Sequence, residues 1–225
     1  MSVLTVVFDL DGTLVDTAPD LVATLNIVIA REEIPAVPFD VGRLMVGFGA
    51  RRMIELAAER AGRTLSQVEL ERMFNAFIAH YAAHIAEHSK PFPGVAAALD
   101  ALSARGCRLA VCTNKRAGLS RLLLEELALA SRFAAICGPD TFGMGKPDPA
   151  ILQRTIAAAG GRPDRAVLVG DSHIDAQTAK AAAVPMIAVD FGYTNIPAAE
   201  LGVARVIGHF DQLPGAVFEL FAERD

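Results

Sequence analysis

The chain has 225 residues, enough to bury a large core as one domain or two unequal ones. Hydrophobic residues make up 52%, which sets disorder aside, and the formal net charge is −5 with no block of like charge. That balance argues against nucleic acid or an anionic membrane surface as partner, so an anionic ligand must be drawn in by a local site.

Val3 to Phe8 is an apolar, β-branched run that predicts a buried strand. It leads into Asp9-Leu-Asp11-Gly-Thr13. A buried parallel strand has no structural use for two carboxylates at its end, because burying a charge costs several kcal/mol unless it is paired or binds metal. Ligands of open α/β sheets sit at those strand ends. The acids at 9, 11 and 16 also interrupt the N-terminal apolar run, so it does not read as a signal peptide. No stretch approaches the roughly 20 apolar residues of a membrane span. The expectation is a soluble cytoplasmic protein, with no membrane partner.

After Asp16 the period becomes helical. Thr17-x-x-Asp20 resembles a capping box, with Pro19 in the first turn, and Leu21, Leu25, Val28 and Ile29 follow at helical spacing. Residues 34–39 read as a loop. Gly47-Phe48-Gly49 precedes a helix over about 50–61. Ser66-x-x-Glu69 opens a long helix to about Glu87, whose stripe is Leu70, Met73, Phe74, Phe77, Ile78, Tyr81 and Ile85. His80, His84 and His88 recur on its other side, more simply a solvated face than a metal site. Residues 17–89 thus form an all-helical block.

From Val95 helices and strands alternate. Strands are expected at 108–112, 133–137, 166–169 and 186–189, with an edge strand at 204–207. Helices are expected at about 95–105, 116–129, 149–159, 174–183 and 213–222. Such alternation means a parallel sheet covered on both faces. The first strand belongs with it, so the fold class is α/β, a doubly wound Rossmann-like sheet from 1–16 and 90–225 with an inserted helical domain at 17–89. Cys107, Cys112 and Cys137 lack zinc spacing and read as reduced, buried thiols.

Three strand runs end alike: at Asp9, at Thr113-Asn114-Lys115, and at Asp171-Ser172 with Asp175 close behind. Lys146 lies in the turn Gly145-Lys-Pro-Asp-Pro149. If the strands are parallel neighbours, these groups meet. Asp9, Asp11 and Asp171 make a hard oxygen site suited to Mg²⁺. A carboxylate can attack phosphorus, and a hydroxyl, an amide and an ammonium can hold phosphoryl oxygens. The chemistry that fits is phosphoryl transfer.

Asp9-Leu-Asp-Gly-Thr13, Thr113-Asn114, Lys146-Pro-Asp-Pro149 and Gly170-Asp171-Ser-x-x-Asp175 resemble the four motifs of the haloacid dehalogenase-like superfamily, and the helical block resembles its cap. Within it the chain is most similar to the phosphoglycolate phosphatases. The resemblance implies that Asp9 is nucleophile and metal ligand. Asp11 would be acid and then base, and a ligand through its backbone oxygen. Thr113, Asn114 and Lys146 would hold the phosphoryl group, Asp171 would bind Mg²⁺, and Asp175 would support it from behind. Gly47, Gly49, Arg51 and Arg52 resemble the cap loop that reads substrate, and Lys115 is a further candidate contact. The implied partner is a small phosphorylated metabolite, 2-phosphoglycolate first, met by a monomer or homodimer. A sugar-phosphate or nucleotide phosphatase or a phosphosugar mutase of the same fold is the alternative, and a phospho-acceptor signalling domain is an alternative of another class.

Overall fold

A computed structural model describes residues 3–222. Six parallel strands form one sheet: β1 (Thr5–Phe8), β2 (Arg108–Cys112), β3 (Ala135–Cys137), β4 (Ala166–Gly170), β5 (Met186–Val189) and β6 (Arg205–Ile207). Their spatial order is β3-β2-β1-β4-β5-β6. This is the doubly wound order, whose direction reverses at β1. Val6, Val7 and Phe8 are fully buried, as a strand covered on both faces demands. The first strand begins at Thr5 rather than Val3, which is exposed.

The chain divides into two compact units, residues 1–16 with 91–225, and residues 17–90. The helical unit contains α1 (Ala18–Ala30), α2 (Phe39–Arg43), α3 (Ala50–Arg60) and α4 (Gln67–Ala83). α1 packs on α2, α3 and α4, and α3 packs on α4. Ser66 and Glu69 close a reciprocal capping box at the start of α4. That helix stops at Ala83, earlier than its apolar stripe suggests, because His84 leaves the helical conformation at φ −132°. The three histidines therefore do not share a helix face. His80 stacks on His84 with centroids 4.2 Å apart and meets the Thr24 hydroxyl at 3.2 Å.

The other expected box, at Thr17, does not form. Asp20 turns its buried carboxylate to the far end of the unit instead. It accepts from the backbone N–H groups of His88 and Ser89, from the Ser89 hydroxyl at 2.7 Å, and lies 2.9 Å from His88 Nδ1. Sequence spacing cannot reveal a partner 69 residues away.

In the sheet unit, α5 (Val95–Ala104) packs on β2, α6 (Ala117–Glu126) on β3, and the short α7 (Pro139–Phe142) beside it. α8 (Pro149–Ala158) lies across β1, β2 and β3, and α9 (His173–Ala181) across β4 and β5. α10 (Leu213–Ala222) packs on α5 and β6. Val7, Ala110, Cys112 and Leu168 face Ile151, Leu152 and Ile156 of α8 and Ala179 of α9 in one core layer. The turn after α9 needs a left-handed residue, and Ala183 supplies it at φ +55°, an unusual backbone for a residue with a Cβ. The cysteines are free and buried, and burial pushes the Cys112 thiol up to about 12, so it stays un-ionised.

Asp20→Asn should destabilise the helical unit by roughly 2–4 kcal/mol, because buried donors that lose their acceptor cost about 1–3 kcal/mol each. Burial raises the Asp20 pKa, but hydrogen bonds from Ser89 and His88 outweigh it and the net shift is downward. A depressed carboxylate contributes stability that is present above its unfolded pKa and is lost as pH falls through the folded one. Urea denaturation against pH should therefore show the parent's advantage over Asp20→Asn shrinking below the ordinary carboxylate range. An advantage constant down to the most acidic folded state would contradict this role.

Candidate active site

Phe8 is aligned with Val111 on one side and Val169 on the other. The residues that follow therefore leave the sheet side by side: Asp9 from β1, Thr113 from β2, Asp171 from β4. Backbone bonds extend that order one step past the strands. Asp9 N–H donates to the Val169 carbonyl at 2.9 Å, and Thr113 N–H donates to that of Cys137 at 3.1 Å. The centre of the group is the reversal point of the sheet, where this fold binds ligands.

Lys146 enters from the loop between α7 and α8. Its side chain is 3% exposed, and its ammonium lies 2.8 Å from Asp9 Oδ1 and 2.6 Å from Asp175 Oδ1. Burial works against this charge, but Asp175 and Asp9 outweigh it and hold the Lys146 pKa above the ordinary lysine value. Asp175 is fully buried and its other oxygen takes the N–H and hydroxyl of Ser172, so one side chain caps α9 and anchors Lys146.

Asp171 accepts from the Thr13 hydroxyl at 3.0 Å and from Tyr193 N–H at 2.8 Å. Two glycines make room for it. A Cβ on Gly12, at φ +81°, would lie 2.7 Å from Asp171 Oδ2, and a Cβ on Gly192 would lie 2.2 Å from Asp171 Cβ. The Tyr193 hydroxyl donates to Asp16 at 2.6 Å. Thr13 and Ser172, which lie within the motifs but carry no role there, and Tyr193, outside them, thus join the site. No local signal marks Tyr193: Phe191-Gly-Tyr after β5 is largely apolar, and the bond to Asp171 comes from a main-chain N–H.

Asp11 and Lys115 form a second ion pair at 3.0 Å, with side chains 12% and 5% exposed. Lys115, read as a substrate contact, is thus engaged with a residue of the site. Thr113 accepts from Lys115 N–H at 3.1 Å. Asn114 directs its amide to the main chain of Lys146. In the helical unit, taken by itself, Arg51 makes a two-point pair with Glu71 and lies over the Phe74 ring, while Arg52 pairs with Glu55 and Glu59. Both guanidinium groups are already matched with carboxylates. Gly47 lies in a single turn of 3₁₀ helix, and Gly49, at φ +82°, starts α3.

One carboxylate oxygen each of Asp9, Asp171 and Asp175 lies within 4.8 Å of the others. Asp175 joins Asp9 and Asp171 in this carboxylate group, while Asp11, expected to offer its backbone oxygen, turns its own carboxylate to Lys115. Burial pushes Asp9 up to about 8 against the pull of Lys146, and pushes Asp171 up to about 6, helped by the charge of Asp175. Counted as fully ionised, four carboxylates (9, 11, 171 and 175) face two ammonium groups (115 and 146), an excess of two negative charges that the cluster relieves by favouring the proton on Asp9 and Asp171. The oxygen donors and the charge deficit both fit a hard divalent cation.

Residues 6–189 match the family described as haloacid dehalogenase-like hydrolase, and the chain belongs to that family. It is 48% identical over 208 residues to a phosphoglycolate phosphatase of Mesorhizobium japonicum, covering 92% of each chain. It is 47% identical over 216 residues to one of Caulobacter vibrioides, covering 96% of this chain and 91% of the relative. The fold superposes with a TM-score of 0.87 on a crystal structure from Haemophilus somnus 129pt, described as a predicted phosphoglycolate phosphatase, at 28% identity and covering 95% and 97% of the two chains. Family membership sets the phospho-acceptor signalling alternative aside. Among the described residues no helix is long and apolar enough to cross a membrane.

Gly192→Ala should force Asp171 or its loop to move and cost about 1–3 kcal/mol, as overpacking of a closed site does. Gly118→Ala, on α6 with nothing within 4 Å of the added methyl, should be neutral or stabilising by up to about 1 kcal/mol. Thermal denaturation of the two variants beside the parent checks the contrast, and equal Tm values would show that the Asp171 pocket yields freely.

Proposed function

We propose that the protein is a Mg²⁺-dependent phosphomonoester hydrolase that works through an aspartyl-phosphate, with 2-phosphoglycolate as its substrate. The observation that carries the reading is Asp9 at the reversal point of the sheet, 2.8 Å from a buried ammonium. Relatives at 48% and 47% identity named phosphoglycolate phosphatase support the substrate.

In this reading Asp9 attacks phosphorus. The bond to the leaving oxygen breaks, and that oxygen takes a proton from Asp11. Asp11 then removes a proton from the water that cleaves the aspartyl-phosphate, returning Asp9 and releasing inorganic phosphate. Thr113 and Lys146 bind the phosphoryl oxygens. Asp9 and Asp171 would hold Mg²⁺ with the Asp11 carbonyl, and Asp175 is close enough to share or steady it. The ion would neutralise charge on the phosphoryl group. Phosphomonoester hydrolysis needs accelerations of up to about 10²¹-fold, and general acid catalysis supplies only about 10²–10⁴ of that. Positioning and charge neutralisation must do most of the work. Within the helical unit, the main-chain N–H groups that follow Gly49 are the better candidate for an anion contact, since Arg51 and Arg52 already have partners.

Purified protein with Mg²⁺ should release phosphate from 2-phosphoglycolate faster than from a panel of sugar phosphates and nucleotides. Asp9→Asn, nearly isosteric, should abolish turnover with Tm kept within a few degrees. A sugar phosphate or nucleotide at the head of the panel would replace the substrate assignment, and an active Asp9→Asn would remove the nucleophile.

The cation can be read without turnover. An ion that binds only the folded state stabilises it by mass action, by about 2.7 kcal/mol at a hundred times its Kd. Mg²⁺ should therefore raise Tm in the parent and much less in Asp171→Asn. The same shift in both would place the ion elsewhere.

A further inference from the structure

Asn114 stands in the motif that the resemblance assigns to phosphoryl binding, yet its side chain is committed to another residue's backbone. Nδ2 donates to the Lys146 carbonyl at 3.1 Å, and Oδ1 accepts from Lys146 N–H at 2.8 Å. Two bonds from one planar amide to both polar groups of one residue fix position and rotation together.

The clamp is anchored at one end and useful at the other. Asn114 follows Thr113, whose own N–H is bonded to the Cys137 carbonyl at the end of β3, so the amide is carried by the sheet. Lys146 belongs to no strand or helix. Its backbone is set by what holds its loop, and its ammonium has to reach Asp9 and Asp175 together, at 2.8 and 2.6 Å. Gly145 leaves the space the clamp needs, since a Cβ there would lie 2.8 Å from Asn114 Oδ1.

We propose that Asn114 is a positioning residue: it acts on the reaction through the main chain of Lys146 and not through the phosphoryl group. The inference rests on the catalytic part given to Lys146 above. Misplacing a reacting group by about 1 Å can cost about 10²-fold, which sets the scale of the effect.

The test is a double-mutant cycle on kcat/KM for an aryl phosphate, with parent, Asn114→Ala, Lys146→Ala and the double variant. Asn114→Ala should lose roughly 10- to 100-fold in the parent background and less than about threefold once the Lys146 side chain is gone. A residue that only supported the fold, or one that touched the phosphoryl group itself, would lose the same factor in both backgrounds, and that result overturns the proposal. Full activity in Asn114→Ala beside a crippled Lys146→Ala also overturns it. Full activity in Lys146→Ala would instead overturn the underlying reading, and the proposal with it. Should the alanine variant not fold, Asn114→Asp goes through the same cycle under the same criterion. It keeps the acceptor for Lys146 N–H and sets an oxygen against the carbonyl.

Discussion

The sheet unit is built around an electrostatic imbalance that it holds out of water. Asp9, Asp171 and Asp175 are buried at the carboxyl ends of β1 and β4, and Lys146 is the ammonium placed among them. One ammonium cannot neutralise three carboxylates. The rise of Asp9 and Asp171 above the ordinary carboxylate range expresses that deficit, because burial and like charge both favour the proton. Removing the ammonium would leave the carboxylates unpaired, a loss that typically costs about 3–5 kcal/mol, so such a cluster survives only when Lys146 and its partners are held from several sides.

The holding is distributed over the whole sheet unit. Asp9 is set by its register between β2 and β4. Asp171 is held by Thr13 from the loop after β1 and by Tyr193 from the loop after β5. Asp175 is held by Ser172 at the start of α9, and Lys146 by Asn114 at the end of β2. Five chain segments converge on four charges. The reversal of strand order at β1 makes this possible, because it opens a crevice there that loops from both halves of the sheet can reach. The glycines at 12, 145 and 192 are a consequence, since each sits where a Cβ would meet Asp171 or Asn114.

The parts of this arrangement that follow from local chemistry were legible in the sequence. Alternating apolar runs place the strands, and acids directly after a buried run mark the strand ends that carry chemistry. The parts that depend on distant partners were not. Asp20 has the spacing of a capping residue, but its donors are His88 and Ser89 at the other end of the helical unit. Arg51 reads as a substrate contact because Glu71 becomes its partner only once α3 has packed on α4, whereas the partners of Arg52, Glu55 and Glu59, lie on its own helix. Tyr193 was passed over because its contribution to Asp171 comes from its backbone N–H, which every residue but proline has. Composition is silent about such a bond, and only the path of the chain creates it.

The two ion pairs of Lys146 also limit what it can do for a phosphoryl group. An ammonium has three N–H donors and no acceptor. Two are directed at Asp9 and Asp175. The third can meet a phosphoryl oxygen only if the first two stay where they are, because the ammonium rotates as a rigid tripod about its carbon. Asp175 therefore does more than balance charge. By fixing one leg of the tripod at 2.6 Å it determines, together with Asp9, the direction in which the remaining proton points. Under the proposed function the first leg lies on the nucleophile itself, so Lys146 would steady Asp9 and the group Asp9 attacks from a single atom. An arginine could not take its place. Its donors lie in one plane on a longer side chain, whereas this site asks for three directions from a single nitrogen.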